Sequence, residues 1–384
     1  MRLTPRNPFF SILRSTFSSA SIRPISTAAP EPSKPLNPSP PIPQANPYAK
    51  PDPYPRIRTK TPLEREFETW IHKLKPGFTP PDVREALTAQ SDPDLALDIF
   101  RWTAQQRGYK HDHLNYLCMI EISVTRKRYR VAETLIEEVL AGACPPSLAL
   151  YNSMIKFCCD RKYLFKRAFD IYKKMLKFDD VSLRPSLETY TMLLISLLRK
   201  FDKAPVCYVY MHSVRSLAKQ MKASGVIPDT LVLNLILKAY SKCLEVDEAI
   251  RIFREMGLYG CEPNAYTYSY LVKGLCEKVR VNQGLEFFKE MRRKNLVPKA
   301  GTYVILICSL AMERRFDDAI QIVFDMLGNT MFPDFLTYKC LLEELCRDGR
   351  GDDASELLER LRKKDHRMNE KIYCALLNVL HDLN

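Results

Sequence analysis

Apolar residues in this chain recur with helical spacing inside a longer period of 35 residues. Pro228, Pro263, Pro298 and Pro333 stand 35 residues apart, and an aromatic-containing apolar run follows each of them. Later in each period, a small residue is followed by apolar residues at positions +3, +4 and +7. In the period after Pro228 these residues are Ala249, Ile252, Phe253 and Met256. Such spacing marks one face of an α-helix, so each period is predicted to hold two helices joined by a turn.

The period extends over most of the chain. One residue, usually tyrosine, marks the first helix of each unit: Tyr116, Tyr151, Tyr190, Leu233, Tyr268, Tyr303, Tyr338 and Tyr373. The two steps longer than 35 residues indicate insertions, at 177–186 and at 199–210. One hairpin cannot bury its apolar stripe alone, whereas a stack of hairpins can. The predicted fold is therefore an all-α solenoid of helix–turn–helix repeats.

The N-terminal region has a different composition. Residues 1–29 contain no Asp or Glu but carry Arg2, Arg6, Arg14 and Arg23, which is typical of a mitochondrial transit peptide. We expect cleavage near residue 26 and a location in the mitochondrial matrix, with the chloroplast as the weaker alternative. The predicted order of segments is a transit peptide (1–25), a proline-rich disordered linker (26–61), N-terminal helices with a degenerate first repeat (62–110), and the repeat array with a terminal capping helix (111–384).

Charge and cysteine content narrow the function classes. The formal net charge is +13, which favours polyanionic partners such as RNA, although the basic transit peptide contributes to it. The twelve cysteines form no C-x-x-C pair and mostly fall in apolar helical runs, so we interpret them as buried thiols. We expect no cofactor, no metal, no small-molecule substrate and no insertion into a membrane.

The repeat pattern resembles that of the pentatricopeptide repeat family, specifically the P-type subclass of plant organelles. The resemblance rests on the 35-residue period, the first-helix tyrosine, the D-E-A-I-x-I-F run and the P-D or P-N junction, and it is strongest over residues 228–264. It implies a right-handed superhelix that binds single-stranded organellar RNA, with roughly one base per repeat. It also implies a role in RNA stability, processing, splicing or translation.

The resemblance assigns base-reading pairs to three units. In this family, the residue after the first-helix tyrosine and the residue after the junction proline act together on one base. The pairs are Asn152 with Ser186, Thr191 with Asp229, and Asn234 with Asn264, and family preferences assign them to C, to G, and to C or U. We expect Thr191 and Asn234 to lie on the exposed side of their helices. The other units depart from the family pattern, with Leu117, Ser269, Val304 and Lys339 at the first position.

Basic residues near these pairs are candidates for contact with the RNA backbone. Lys156, Lys238 and Lys273 each follow the first member of a pair position by four residues and should share its helix face. Lys242 and Arg347 belong to a second group, at the ends of the first helices, where a cation can meet either a phosphate or the helix dipole. Asp317 and Asp318 are interpreted as helix-start residues rather than as acid–base groups.

We find no nucleophile–base arrangement and no phosphate-binding loop, so the sequence predicts a protein that is not an enzyme. Two functions remain open. The chain could act in trans on an organellar transcript, or it could be a structural or assembly component of the mitochondrial ribosome. A pure protein scaffold is a third, weaker alternative.

Overall fold

The computed structural model describes residues 61–201 and 206–383. The predicted transit peptide and nearly all of the predicted linker lie outside the described residues. Within them the secondary structure is helical, with no strand. Its α-helices are α1 (Pro62–Lys73), α2 (Pro80–Thr88), α3 (Pro93–Ala104), α4 (His113–Thr125), α5 (Tyr129–Leu140), α6 (Leu148–Cys159), α7 (Phe165–Met175), α8 (Leu187–Leu198), α9 (Val206–Ala223), α10 (Thr230–Lys242), α11 (Val246–Glu255), α12 (Ala265–Glu277), α13 (Val281–Arg293), α14 (Ala300–Met312), α15 (Phe316–Gly328), α16 (Phe335–Arg347), α17 (Gly351–Lys364) and α18 (Glu370–Leu383).

Residues Thr69–Asn384 form one compact unit, in which the helices alternate as hairpins. The even-numbered helices from α2 to α18 are the first helices, and the odd-numbered helices from α3 to α17 are the second helices. Each first helix contacts the second helix of its own hairpin and the first helix of the next hairpin. The predicted α-solenoid is confirmed. The predicted insertion at 199–210 overlaps the start of α9, an unusually long second helix of 18 residues.

Aromatic rings hold neighbouring hairpins together. A ring from one second helix meets the tyrosine of the next first helix edge to face, with centroids 5.4 Å apart for Phe253 and Tyr268 and also for Phe288 and Tyr303. Phe100 with Tyr116 and Tyr172 with Tyr190 repeat the arrangement. Edge-to-face pairs add to the stabilisation that burial alone provides. The interpretation of these tyrosines as core residues is therefore confirmed.

Several of the tyrosine hydroxyls also have partners in their own hairpins. The hydroxyl of Tyr303 donates to Asp325 Oδ2 at 2.8 Å, and Arg292 from the preceding hairpin donates to Asp325 Oδ1 at 2.8 Å. Tyr268 donates to Glu290 at 2.7 Å in the same way. Burial, with the bond to Asp325, raises the pKa of Tyr303 far above its ordinary value. Each such hydroxyl therefore stays protonated and keeps its bond at any physiological pH.

Five of the described hairpin turns have a left-handed residue just after the first helix: Lys127, Leu244, Val279, Arg314 and Gly349. After α12, Val279 has φ 63°, and the backbone N–H of Arg280 donates to the carbonyl of Leu275 at 2.9 Å. This is the Schellman arrangement, which satisfies the last helical carbonyls. Leu244, Arg314 and Gly349 take the same place in neighbouring hairpins. Only glycine adopts this conformation without steric cost.

Basic residues at these turns form ion pairs between hairpins. Arg280 approaches Asp247 of the preceding hairpin at 2.7 Å, and Arg314 approaches Asp348 of the following one at 2.6 Å. The acidic partner Asp247 lies in the first turn of α11, where it also favours the helix dipole. Exposed pairs contribute little individually, about 0–1 kcal/mol each. The sequence analysis considered a phosphate or the helix dipole as the partner of such cations. Arg280 and Arg314 instead pair with carboxylates of neighbouring hairpins.

Removal of one ring should destabilise the array locally. We expect Phe288→Ala to cost about 3–5 kcal/mol, because it deletes a buried ring and leaves a cavity against Tyr303. Hydrogen exchange, measured residue by residue, should show faster opening over residues 230–334. A uniform increase in the exchange rate that extends back to residue 80 would contradict local coupling between hairpins.

Substitution of a left-handed turn residue by glycine should raise the stability of the array, in contrast to removal of the ring. Val279→Gly should raise stability by about 0.5–1 kcal/mol, because relief of the left-handed valine exceeds the entropy cost of glycine. Gly349→Val, at the equivalent turn, should lower stability by a similar amount, and a Cβ there would contact nothing within 4 Å. Urea midpoints of the two variants would show both effects. Equal shifts in one direction would refute the backbone explanation.

Candidate nucleic-acid interface

The residue after each junction proline is the N-cap of a first helix. Asp229 Oδ1 accepts the backbone N–H of Val232 at 2.8 Å, and Asp334 Oδ1 accepts that of Thr337 at 2.9 Å. Asn264 Oδ1 accepts two such bonds, from Tyr266 and Thr267. Asp, Asn and Ser are the preferred N-cap residues. Helix capping alone thus favours the same residue types that the resemblance assigns to base recognition. Lys299, the N-cap residue of α14, fits neither the capping preference nor the base-reading pattern.

Asn234 and Asn264 are brought together by the stacking of α10 and α12. The amide nitrogen of Asn234 donates to Asn264 Oδ1 at 3.3 Å. The hydroxyl of Thr267, in the first turn of α12, donates to Asn234 Oδ1 at 2.7 Å. The same hydroxyl accepts the backbone N–H of Asn264 at 3.0 Å. Because its oxygen is held by Thr267, Asn234 directs its amide N–H groups toward the cap residue.

Asn152 has an equivalent environment with one added carboxylate. Thr189 donates to Asn152 Oδ1 at 2.6 Å, as Thr267 does to Asn234. The amide nitrogen of Asn152 lies 3.5 Å from Ser186 Oγ and donates to Glu188 Oε2 at 3.0 Å. A ligand acceptor would therefore compete with Glu188 for this nitrogen.

The predicted pair of Thr191 with Asp229 is not hydrogen-bonded. Thr191 donates its hydroxyl to the carbonyl of Leu187 at 2.8 Å, while Asp229 is exposed and caps α10. No hydrogen bond joins the two side chains. The structure also corrects the expected exposure of Asn234, whose side chain is 6% exposed, whereas Thr191 is half-buried. The helix stacking that creates the Asn234–Thr267 bond also covers the asparagine.

The predicted backbone-binding cations lie on or beside this helix face. Lys156, Lys273 and Arg347 are exposed, and Lys238 and Lys242 are half-buried. The ammonium of Lys238 lies 5.4 Å from the ring centre of Tyr270, and that of Lys273 lies 4.0 Å from Glu277. Arg347 pairs with Glu344 on its own helix. Their contact with RNA stays a prediction.

Sequence reasoning missed a row of exposed apolar side chains on the same face. They lie in the first turns of four first helices, three residues before the first position of the pair, and are 37–51% exposed: Leu114, Leu231, Tyr266 and Leu336. Residues three apart share a helix face, so Leu231 lies on the same face as Asn234 of the third predicted pair. The ammonium of Lys299 lies 3.3 Å from the centre of the Tyr266 ring. The sequence signal is an apolar residue at a helix start, where polar residues are usual.

Metal-binding groups and membrane-spanning helices are considered for the described residues alone. Residues 61–201 and 206–383 contain no group of three His, Cys, Asp or Glu side chains that could hold a metal ion. None of the helices described there is long and apolar enough to cross a membrane. Asp318 pairs with Arg315 at the start of α15, in agreement with a role at the helix start.

Family models for pentatricopeptide repeats match several stretches, which together cover about half of the chain. A model described as "PPR repeat family" matches residues 228–277, and one described as "Pentatricopeptide repeat domain" matches residues 99–161. Models described as "PPR repeat" match 266–296, 301–330 and 329–362.

Two curated relatives come from Arabidopsis thaliana, and both are named as mitochondrial pentatricopeptide repeat-containing proteins. One is 69% identical over 203 residues, which are 53% of this chain and 53% of the relative. The other is 36% identical over 193 residues, which are 50% of this chain and 43% of the relative. The chain thus spans about half the length of the curated relatives it matches.

A solved structure has the same fold. The crystal structure of the maize pentatricopeptide repeat protein PPR10 superimposes with a TM-score of 0.51 and 18% identity. The match covers 83% of this chain and 47% of that one. At this identity the similarity concerns the fold.

The cross-hairpin hydroxyl can be tested by a mutant cycle. Thr267→Val should cost about 1–3 kcal/mol, because it leaves Asn234 Oδ1 and the N–H of Asn264 without their partner. Combined with Asn234→Ala, it should show a coupling energy of about 0.5–3 kcal/mol in urea unfolding.

Thr337→Val with Val304→Ala is the matched control. Thr337 occupies the same place two hairpins later, and Val304 offers it no hydrogen-bond acceptor. That pair should show almost no coupling. Equal coupling in the two cycles would mean that packing, not the hydrogen bond, joins the hairpins.

Proposed function

Because this chain belongs to the pentatricopeptide repeat family, we propose that it binds single-stranded RNA along the face formed by its first helices. It acts as a P-type repeat protein without catalysis, in the stability, processing, splicing or translation of an organellar transcript. The observation that carries the proposal is the Asn234, Asn264 and Thr267 cluster, in which a buried amide is held in one orientation.

The fixed amide favours a pyrimidine. With Oδ1 engaged by Thr267, Asn234 presents only N–H donors toward the cap residue. The Watson–Crick edge of cytosine offers the acceptors N3 and O2, and that of uracil offers O4 and O2. A purine must reach the same donors with a larger ring system. The geometry therefore supports C or U opposite this pair.

The exposed apolar side chains of the first turns provide a second contribution to the proposed binding of RNA bases. Leu231 and Tyr266 lie in the first turns of consecutive first helices and flank the Asn234 cluster. Bases bind apolar and aromatic faces independently of sequence, with about 1–3 kcal/mol per base for aromatic stacking. A base held between these side chains would place its edge toward the amide.

The cations account for the phosphate contacts. Lys238 and Lys273 follow the pair positions Asn234 and Ser269 by one helical turn. Neutralised phosphates release counterions, so the affinity should fall steeply with salt. Ser269, Val304 and Lys339 do not form amide–cap pairs, so several units should contribute only such sequence-independent contacts.

The mitochondrion is the location of the protein. The two relatives described above are both named mitochondrial, and the predicted mitochondrial location is thereby confirmed. Placement in the matrix follows from the arginine-rich, acid-free composition of residues 1–29 and is part of the proposal.

Binding of matched and mismatched RNA tests the proposal. A single-stranded oligonucleotide carrying 5′-CG(C/U) should bind more tightly than one with purines in place of the pyrimidines. Asn234→Ala should reduce that preference at one base by about 1–3 kcal/mol. Lys238→Ala should weaken all sequences equally and flatten the salt dependence. Fluorescence anisotropy over a salt series measures both effects.

Val304→Ala is the matched control, because Val304 has the same place and similar burial but cannot donate to a base. It should leave the base preference unchanged. Equal affinity for all sequences, unaltered by Asn234→Ala, would reject base recognition and favour the ribosomal alternative.

A further inference from the structure

At one junction between hairpins, both members of the contact between a second helix and the next first helix are changed. The second-helix residue at this place is aromatic or branched apolar in the other hairpins: Phe100, Ile136, Tyr172, Phe253, Phe288, Val323 and Leu358. Four of these side chains, Phe100, Tyr172, Phe253 and Phe288, form ring contacts with the next first-helix tyrosine. In α9 the equivalent residue is Ala218, and the facing residue in α10 is Leu233 instead of tyrosine. Both members of the pair are thus reduced at the same junction.

A cavity of about 800 Å³ occupies this junction, between α9, α10 and α11. Ala218, Leu233 and Ile236 line it, with Ile252 on the α11 side. The equivalent groove between α13 and α15 retains Phe288 and measures about 610 Å³. Of these two grooves, the larger one lacks both the second-helix ring and the first-helix phenol.

The two sides of the cavity differ in charge. On the α11 side, Glu248 pairs with Arg251, and Glu245 pairs with Arg215 from α9. On the α9 side, Lys219 and Lys222 line the cavity, and both are exposed. A third lining carboxylate, Glu255, lies 3.8 Å from Arg251. The four lining cations Arg215, Lys219, Lys222 and Arg251 outnumber the three lining carboxylates by one, so the mouth has a net positive charge.

Apolar surface continues beyond the mouth. Ile227 lines the cavity and is 70% exposed, and Leu258, next to the lining residue Tyr259, is 84% exposed. A small molecule seated in the cavity would leave these side chains in water. A chain segment lying across the mouth would cover them.

We propose that this cavity is the docking site for a segment of a partner protein. The segment inserts one aromatic side chain into the space where the Phe–Tyr pair is missing. Carboxylates beside that aromatic residue pair with Lys219 and Lys222. The site is built mainly from second helices, so it does not depend on the RNA contacts proposed for the first helices.

Selection of peptides tests the proposal directly. The full chain is screened against a phage-displayed library of random dodecapeptides, with counter-selection on the refilled variant Ala218→Phe/Leu233→Tyr. We expect enriched peptides that share an aromatic residue flanked by acidic residues. No enrichment over the refilled variant, or a consensus without an aromatic or an acidic residue, overturns the proposal.

Peptide affinity can also be tested with surface variants in which the cavity itself is unchanged. A fluorescein-labelled selected peptide should bind Lys219→Glu about tenfold more weakly than the unaltered chain, by anisotropy. Lys289→Glu, the equivalent position two hairpins later, should bind it normally. Three outcomes would contradict a protein-docking site. The first is an equal loss of peptide affinity in both variants. The others are tight binding of indole-3-propionate alone and displacement of the peptide by single-stranded RNA.

The refilled variant also has a fold control. Restoration of the pair should raise the thermal midpoint, because it fills a cavity with the contact used elsewhere in the array. Ala218→Leu, which copies the residue at Leu358, provides a milder filling if the double substitution does not fold. If the selected peptide binds both cavity-filling variants as tightly as it binds the unaltered chain, the proposal is overturned.

Discussion

The buried tyrosine that most first helices carry is the contact on which the array depends. Its ring packs against the second helix of the preceding hairpin, as Tyr303 does on Phe288. In several hairpins its hydroxyl also binds a carboxylate of the same hairpin, as Tyr303 does with Asp325. Where both contacts form, one side chain joins two neighbouring hairpins and also joins the two helices of its own hairpin. At the Asn234–Asn264 pair this contact lies on the α12 side, where Tyr268 packs on Phe253 of the hairpin that carries Asn234.

The sequence was sufficient to predict the fold because a repeat multiplies weak signals. One stripe such as Ala249, Ile252 and Phe253 suggests a helix, but the same stripe at a constant interval establishes a stack. The tyrosines could be recognised as core residues for the same reason. The insertion before α9 was visible from the irregular interval. Its effect on the facing residues Ala218 and Leu233 required the register of the structure.

The candidate site was only partly predictable, because its geometry depends on neighbours that are distant in sequence. Asn234 lies 33 residues before Thr267, and its burial follows from contact between α10 and α12. Helical periodicity places Asn234 on a face but does not say how closely the next helix covers that face. The N-cap role of Asn264 was readable from its position after a proline, yet its oxygen serves both the helix and Asn234.

The hydrogen bond from Thr267 to Asn234 has a consequence for modularity. A repeat defined from one proline to the next contains the asparagine but not the hydroxyl that orients it. Exchange of a single repeat, whether by recombination or by engineering, therefore alters the amide of the repeat before it. The smallest portable unit of recognition is a hairpin together with the first turn of its successor. Chimeric arrays should be joined after that turn, beyond Tyr268, rather than at the proline.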